Sequence, residues 1–155
     1  MYLYLVQHGE AKSAQEDPNR PLTERGRRDA KKAGALAAAG GRLKVGTILH
    51  SGKRRALETA LILAECIVPT PVVEDSEGLL PLDDPALWAA RLTYMNSNTI
   101  LVGQLPHLAG LASLLLTSAS GMNLIDFKMG GILCLRRLEE RGYSVAWMIV
   151  PEILP

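Results

Sequence analysis

The chain opens with MYLYLVQHG, residues 1–9, in which an apolar run ends at Gln7-His8-Gly9. A short run of aliphatic and aromatic residues is typical of a buried strand. Gly9 permits a sharp turn or a close approach to a ligand. His8 is therefore predicted at the end of a strand, where open α/β sheets place their ligands. Its imidazole could act there as a nucleophile, a base or a metal ligand, although a histidine in such a position is more often structural.

The composition is that of an ordinary globular protein. The 155 residues carry a net charge of +1, and 48% of them are hydrophobic. We expect one domain over residues 1–155, which is long enough to bury a core. The charge balance argues against nucleic-acid binding, and no run reaches the roughly 20 apolar residues of a membrane span.

Two further features bear on the compartment. The N-terminal residues lack the basic region and cleavage site of a signal peptide. Cys66 and Cys134 lie in apolar stretches without the spacing of metal ligands, so they are typical of buried thiols. We therefore expect a cytoplasmic protein that needs no metal and no cofactor.

Strands alternate with helices along the rest of the chain. The predicted strands after the first cover 45–50, 70–74 and 99–102, and the predicted helices cover 24–39, 53–66, 85–95 and 107–116. Thr23 is predicted to cap the first helix. Segments 132–138 and 144–149 flank the turn 139–142, which predicts a terminal hairpin. The alternation predicts an α/β fold, a three-layer α/β/α sandwich whose mostly parallel sheet has antiparallel edge strands.

Three of the predicted strand ends carry polar side chains that could converge. They are His8 after the first strand, the segment 51–55 after the second, and Gln104 with His107 after the fourth. Arg55 opens a helix whose free N–H groups favour an anion, and its guanidinium fits phosphate oxygens as a planar fork. The basic run 53–55 could also be a solvated helix face, and we expect only one of its three side chains to point inward. Gln104 and His107 could merely line the last helix.

Four blocks along the chain resemble signatures of the histidine phosphatase superfamily. Gln7-His8-Gly9 resembles its Arg-His-Gly motif, and Arg20-Pro21-Leu22-Thr23 with Gly26 resembles the start of its first helix. Ser51 with Arg55-Ala56 and Glu58-Thr59-Ala60 resembles its Ser-Pro-x-x-Arg-Ala-x-Gln-Thr-Ala block, and Leu-Val-Gly-Gln-Leu-Pro at 101–106 resembles its Val-Gly-His-x-Pro block. The order and spacing match, and the short length and the ending resemble the phosphohistidine phosphatase SixA branch. The resemblance covers nearly the whole chain and implies the fold predicted above.

The resemblance implies a hydrolase in which His8 becomes transiently phosphorylated. His8 would attack phosphorus in line, and water would then release inorganic phosphate. The attack needs a neutral ring nitrogen, held in place by a hydrogen bond from the other ring nitrogen. In the superfamily, two arginines and a second histidine stabilise the transferring group. Here Gln7 and Gln104 stand where the first arginine and the second histidine belong, so His8 and Arg55 remain of that set.

The two glutamines weaken the predicted catalysis but leave donors for phosphate. Losing one preorganised donor costs about 3 kcal/mol, and two such losses cost on the order of 10⁴-fold in rate. A glutamine amide still donates N–H bonds but supplies no positive charge. We predict that the phosphate-binding residues are Gln7, His8, Arg55, Gln104 and Arg20. Other residues that could restore the charge are Lys12, Lys53, Arg54 and His107, although His107 is expected to point in a different direction.

Glu77 is the candidate general acid beside the catalytic residues His8 and Arg55. It follows the third predicted strand, where larger members of the superfamily carry an acid. Phosphohistidine needs less help from an acid than an ester does, because its imidazole is readily protonated in solution. The short chain predicts an open site that suits a phosphorylated protein surface.

The predicted function is therefore a phosphatase that acts on phosphohistidine, or on another phosphorylated side chain, with a phosphorylated protein as its partner. Two alternatives stay open. One is a catalytically silent module of the same fold that binds phosphate or a phosphoprotein, and the other is a phosphatase acting on a small phosphate ester.

Overall fold

A six-stranded sheet forms the centre of the molecule. The computed structural model describes residues 1–41, 43–119, 121–140 and 142–155. The strands are β1 (Tyr2–Gln7), β2 (Thr47–His50), β3 (Val72–Asp75), β4 (Thr99–Gly103), β5 (Ile132–Arg137) and β6 (Tyr143–Ile149), in the spatial order β3-β2-β4-β1-β5-β6. The first four strands are parallel to one another, while β5 runs antiparallel to β1 and β6 antiparallel to β5. The mostly parallel sheet with antiparallel edge strands is thus confirmed.

Helices cover both faces of this sheet. They are α1 (Glu24–Ala38), α2 (Arg54–Glu65), α3 (Pro85–Tyr94) and α4 (His107–Thr117), with short 3-10 turns at Ala39–Gly41 and Pro151–Ile153. Successive side chains of a strand point to opposite faces. Tyr4 and Val6 of β1 accordingly pack with α1 and α2, whereas Leu3 and Leu5 pack with α3 and α4. The predicted three-layer α/β/α architecture is confirmed.

The ends of several elements differ from the sequence prediction. Helix α1 begins at Glu24, as predicted, because the Thr23 side chain accepts a hydrogen bond from the backbone N–H of Gly26 and caps it there. Strands β2 and β3 each begin two residues later than predicted. The predicted hairpin turn 139–142 includes Arg141, which lies outside the described residues.

Two further features concern membrane spans and cysteines. In the ranges that the structure describes, no helix is both long enough and apolar enough to cross a membrane. Cys134 is buried in β5, Cys66 is partly buried after α2, and both are free thiols.

Candidate active site

The carboxyl ends of β1, β2 and β4 bring together four side chains that are distant in sequence. Arg55 Nε donates to His8 Nε2 at 3.1 Å, and Arg55 Nη2 donates to Gln104 Oε1. Gln104 Nε2 in turn donates to Ser51 Oγ at 2.9 Å. Because β2, β4 and β1 are neighbours in the sheet, the three strand ends lie side by side. We call His8, Ser51, Arg55 and Gln104 the His8 cluster.

The hydrogen bonds of His8 fix which ring nitrogen carries the proton. Nδ1 lies 2.7 Å from the carbonyl oxygen of Gly9. A carbonyl only accepts, so Nδ1 is the protonated nitrogen and Nε2 keeps its lone pair. That lone pair faces the Arg55 guanidinium.

Burial of His8 also keeps the ring uncharged. Burial lowers the pKa of His8, the hydrogen bond to Gly9 opposes this change, and the charges of Arg55 and Arg20 add to it, so that the pKa is about 4. His8 is therefore neutral near pH 7. A neutral imidazole with an unprotonated Nε2 is the form that can attack phosphorus.

Helix α2 holds the turn that follows His8. The backbone N–H of Gly9 donates to Thr59 Oγ1 at 3.0 Å, and Thr59 Oγ1 donates to the carbonyl of Arg55 at 2.8 Å. Thr59 was not identified as a site residue from the sequence. Its position four residues after Arg55, one helical turn further along the same face, was the available signal.

Close packing of α1 holds the same turn from the other side. A Cβ atom on Gly26 would lie 2.1 Å from the carbonyl oxygen of Glu10, so only glycine fits there. A Cβ atom on Gly9 would lie 2.8 Å from the carbonyl oxygen of Gly26. The two glycines let the start of α1 contact the backbone immediately after His8.

A buried carboxylate, Glu58, joins the start of α1 to α2. It accepts hydrogen bonds from the backbone N–H of Leu22 at 2.9 Å, from Arg27 at 2.7 Å and from Arg54 at 2.6 Å. Burial raises the pKa of Glu58, but the hydrogen bonds from Arg54 and Leu22 and the charges of Arg27 and Arg54 outweigh it, so the net change is downward. Glu58 is thus an ionised structural group. Sequence reasoning did not identify this role, because Glu58 was noticed only as part of a motif.

The basic run 53–55 divides as expected. Arg55 points into the His8 cluster, Arg54 pairs with Glu58, and Lys53 is exposed at the N-cap of α2. The prediction that one of the three side chains points inward is confirmed.

Arg20 supplies a second positive charge near the cluster. Its Nε donates to the carbonyl of Lys12 at 3.1 Å, which fixes the side chain across the loop before α1. Its charge lowers the pKa of His8 and, after burial, is the second cause that lowers the pKa of Arg55. Arg55 is thus hydrogen-bonded to His8, and the charge of Arg20 acts on the same ring. Guanidinium groups in such positions favour the oxygens of a phosphoryl group.

Three other residues that the sequence singled out lie outside the His8 cluster. The Gln7 side chain is buried and lines a separate cavity beside α1. Glu77 is exposed; its backbone carbonyl accepts from Trp88 and Arg91, and it shares a cavity of about 440 Å³ with Ser51. His107 is buried, and burial lowers its pKa. The roles suggested for these three residues stay predictions.

Within 1–41, 43–119, 121–140 and 142–155, no three side chains of His, Cys, Asp or Glu come together as metal ligands would.

Residues 3–77 match the model of a protein family described as histidine phosphatase superfamily (branch 1). The matched segment runs from β1 to the loop after β3 and contains His8, Arg55 and Glu77. Gln104 lies beyond it. A search of curated proteins finds no significant sequence match.

Solved structures share the fold over nearly the whole chain. The protein histidine phosphatase SixA, solved in complex with tungstate, has a TM-score of 0.84 at 22% identity, with 97% of each chain covered. A protein proposed to be a phosphohistidine phosphatase SixA, from Nakamurella multipartitia, has a TM-score of 0.76 at 22% identity, with 97% of this chain and 95% of that chain covered. The alpha-ribazole phosphatase from Shigella flexneri has a TM-score of 0.71 at 17% identity, with 94% and 95% covered.

Proposed function

We propose that the chain is a member of the histidine phosphatase superfamily, whose family model matches residues 3–77, and that it hydrolyses phosphohistidine, or another phosphorylated side chain, through a phosphorylated form of His8. The observation that carries the proposal is the state of His8: a neutral ring, oriented by the Gly9 carbonyl, whose Nε2 lone pair faces the Arg55 guanidinium. A phosphorylated protein is the proposed partner, because a protein histidine phosphatase shares the fold over 97% of this chain.

The first half of the reaction transfers the phosphoryl group to His8. A phosphoryl group placed between His8 and Arg55 takes over the Arg55 N–H bonds with its oxygens and frees the Nε2 lone pair. The Nε2–P bond then forms while the P–N bond of the substrate phosphohistidine breaks. The departing imidazole keeps the bonding electron pair and takes a proton from solvent, or from Glu77 if that carboxyl is the acid. The guanidinium groups of Arg55 and Arg20 stabilise the charge on the transferring oxygens.

The second half regenerates the free protein. Water attacks phosphorus, the Nε2–P bond breaks, and inorganic phosphate leaves. The electron pair returns to Nε2, and Nδ1 keeps its proton and its bond to the Gly9 carbonyl throughout. His8 is left in its starting neutral form, ready for another cycle.

The second candidate function is a silent phosphate-binding or phosphoprotein-binding module. Two contacts favour it. The Arg55 N–H occupies the His8 lone pair, and Gln104 supplies an amide where a cation would assist transfer. In this case Arg55 and Arg20 hold a phosphorylated partner and no phosphate is released.

A single-turnover experiment distinguishes the two candidates. The protein is mixed with phosphoramidate, a labile phosphodonor, and acid-labile phosphate on the chain is measured over time and mapped by mass spectrometry. The phosphatase proposal expects label on His8 that decays as inorganic phosphate appears, and no label on His8→Asn. Absence of label in a wild-type protein that still binds phosphate tightly would exclude the enzyme and support the binding module. A parallel assay with p-nitrophenyl phosphate tests the alternative that the protein is a phosphatase acting on a small phosphate ester.

A further inference from the structure

A cavity next to β1 contains a buried hydrogen-bond acceptor without a partner. The cavity measures about 270 Å³ and lies between the end of β1, the first turns of α1 and residues 127–129. Gln7 lines it and is 8% exposed, and its Oε1 is fully buried with no hydrogen bond from any residue that the structure describes. Buried acceptors are nearly always paired, and an unpaired one is costly. A ligand that donates a hydrogen bond would remove this cost.

The charges around the cavity favour a positively charged donor. Three carboxylates, those of Glu10, Asp29 and Glu152, line it together with the cations Arg25 and Lys128. Lys128 donates to Asp126 at 2.7 Å, a carboxylate that does not line the cavity. Arg25 lies 3.9 Å from Glu10 and 3.6 Å from Asp29 in loose contacts, and Glu152 forms no ion pair within the described ranges, although its charge contributes to raising the pKa of Lys128. Glu10 also accepts a hydrogen bond from Thr23 Oγ1 at 2.7 Å. The lining therefore carries three negative and two positive charges, a balance that favours a cation.

We infer that this cavity is a binding site for a guanidinium group. A guanidinium carries five N–H donors and no acceptor, so one group can pair with Gln7 Oε1 and a carboxylate at the same time. A phosphate dianion has no proton to donate to that oxygen. The group could belong to an arginine side chain of a partner protein or to a free guanidino compound. The inference does not depend on the proposed reaction, because it rests on Gln7 and the carboxylates alone.

The cavity and the His8 cluster share one stretch of backbone. The N–H of Gly130 donates to the carbonyls of both Gln7 and His8, at 2.9 Å and 3.2 Å, and Gly130 directly follows the cavity-lining segment 127–129. An arginine bound in the cavity would therefore lie on the protein next to a phosphate held at His8. A phosphorylated partner would then bind with its arginine in the cavity and its phosphoryl group at His8, close to each other.

Titration calorimetry with N-acetyl-L-arginine methylamide tests the inference. The matched ligand is the citrulline analogue, which has the same shape and no charge. We expect saturable binding of the arginine analogue and at least about tenfold weaker binding of citrulline, as for loss of a charged hydrogen bond. Gln7→Met and Glu152→Gln should each weaken binding by about tenfold, while the exposed controls Gln15→Met and Glu139→Gln should not change it.

Two results would overturn the inference. A further comparison distinguishes an arginine of a partner protein from a free guanidino compound as the ligand. Equal binding of both analogues to the wild-type protein would overturn the inference without the use of any variant. The inference would also be overturned if inorganic phosphate competed with the arginine analogue and still competed in Arg55→Ala, because the cavity itself would then hold the anion. A peptide Gly-Gly-Arg-Gly-Gly that binds more tightly than the free analogue would indicate a protein partner, and equal affinities would indicate a free guanidino compound. Failure of His8 phosphorylation would leave these results unchanged.

Discussion

His8 is the residue whose charge state controls the proposed chemistry, and that state can be measured directly. We expect an NMR titration to show its midpoint near pH 4, because burial and the neighbouring arginines lower the pKa from 6.5 to about 4. Protonation removes the Nε2 lone pair, so the rate of His8 phosphorylation should fall as the pH decreases through about 4. A midpoint near 6.5 for both the titration and the rate would contradict the buried, arginine-flanked geometry.

The same shift makes a prediction about stability. Between pH 4 and 6.5 the unfolded chain binds a proton at this histidine and the folded chain does not. The free energy of unfolding should therefore decrease as the pH falls through that window, and the full contribution of His8 should be present above pH 6.5. Urea unfolding across this range should show a smaller decrease for His8→Asn than for the wild type. An identical pH dependence in the two proteins would mean that His8 is not buried in its neutral form.

Among the individual residues near His8, Arg55 should contribute most to anion binding. Arg55→Ala removes a charged donor beside His8, which should weaken phosphate or vanadate binding by about 10- to 100-fold, equivalent to about 1.5–3 kcal/mol. Lys53→Ala is the matched control, because Lys53 belongs to the same basic run and is exposed. Vanadate titration of both variants makes the comparison. Equal affinities would show that Arg55 is only a surface charge.

At the scale of elements, the contact between α1 and the turn after His8 should tolerate no side chain. Gly26→Ala places a methyl group 2.1 Å from the Glu10 carbonyl oxygen, so the helix or the turn must move. We expect a loss of about 1–3 kcal/mol of unfolding free energy, and weaker vanadate binding because the turn carries His8. Gly46→Ala is the control, since a Cβ there would meet nothing within 4 Å. Urea unfolding that shows the same stability for both variants would contradict this packing.

The elements themselves were largely predictable from the sequence. The apolar run of β1 and the alternation of strands with helices predict the layers, because burial imposes those patterns. The start of α1 was predictable although its first turn is polar, because Thr23 was identified as the cap and its side chain sets that start. The beginning of β3 was misplaced, because an edge strand with exposed residues has only a weak hydrophobic pattern.

The candidate site was predictable where it depends on strand ends, and not where it depends on packing between helices. His8, Arg55 and Gln104 follow three strands that proved to be neighbours, so placing them at strand ends was sufficient. The hydrogen bond from Gly9 to Thr59 depends on how α2 sits against the turn after β1. The hydrogen bond from Leu22 to Glu58 depends on how α2 sits against the start of α1. The direction of the Gln7 side chain, into a cavity beside α1, likewise depends on the position of the segment 127–129. No sequence pattern predicts these contacts between separate elements.

For the whole molecule, the question is whether the remaining positive charge is sufficient for turnover. Phosphoryl transfer is catalysed mainly by positioning and by charges aimed at the transferring oxygens. In the proposed reaction, the ends of β1, β2 and β4 would provide the positioning, and Arg55 and Arg20 would provide the charge. Gln104 holds Arg55 in place through Ser51 but adds no charge of its own. Adding charge to the existing frame is therefore a direct test of function.

The double variant Gln7→Arg with Gln104→His should raise turnover of phosphoramidate by orders of magnitude if the protein is a weakened phosphatase. Each missing donor is worth about 3 kcal/mol, or 100- to 1000-fold. The gain from Gln104→His arises within the His8 cluster, whereas the gain from Gln7→Arg requires the new side chain to turn from the cavity beside α1 toward His8, so the two gains need not be equal. Gln15→Arg, which adds a charge in an exposed loop, should have no effect and serves as the control for net charge. Adding His8→Ala to the double variant should abolish the gain, because the nucleophile would be absent. A wild type and a double variant that are both silent, while both bind phosphate tightly, would identify the protein as a binding module, since positioning and charge would then be present without chemistry.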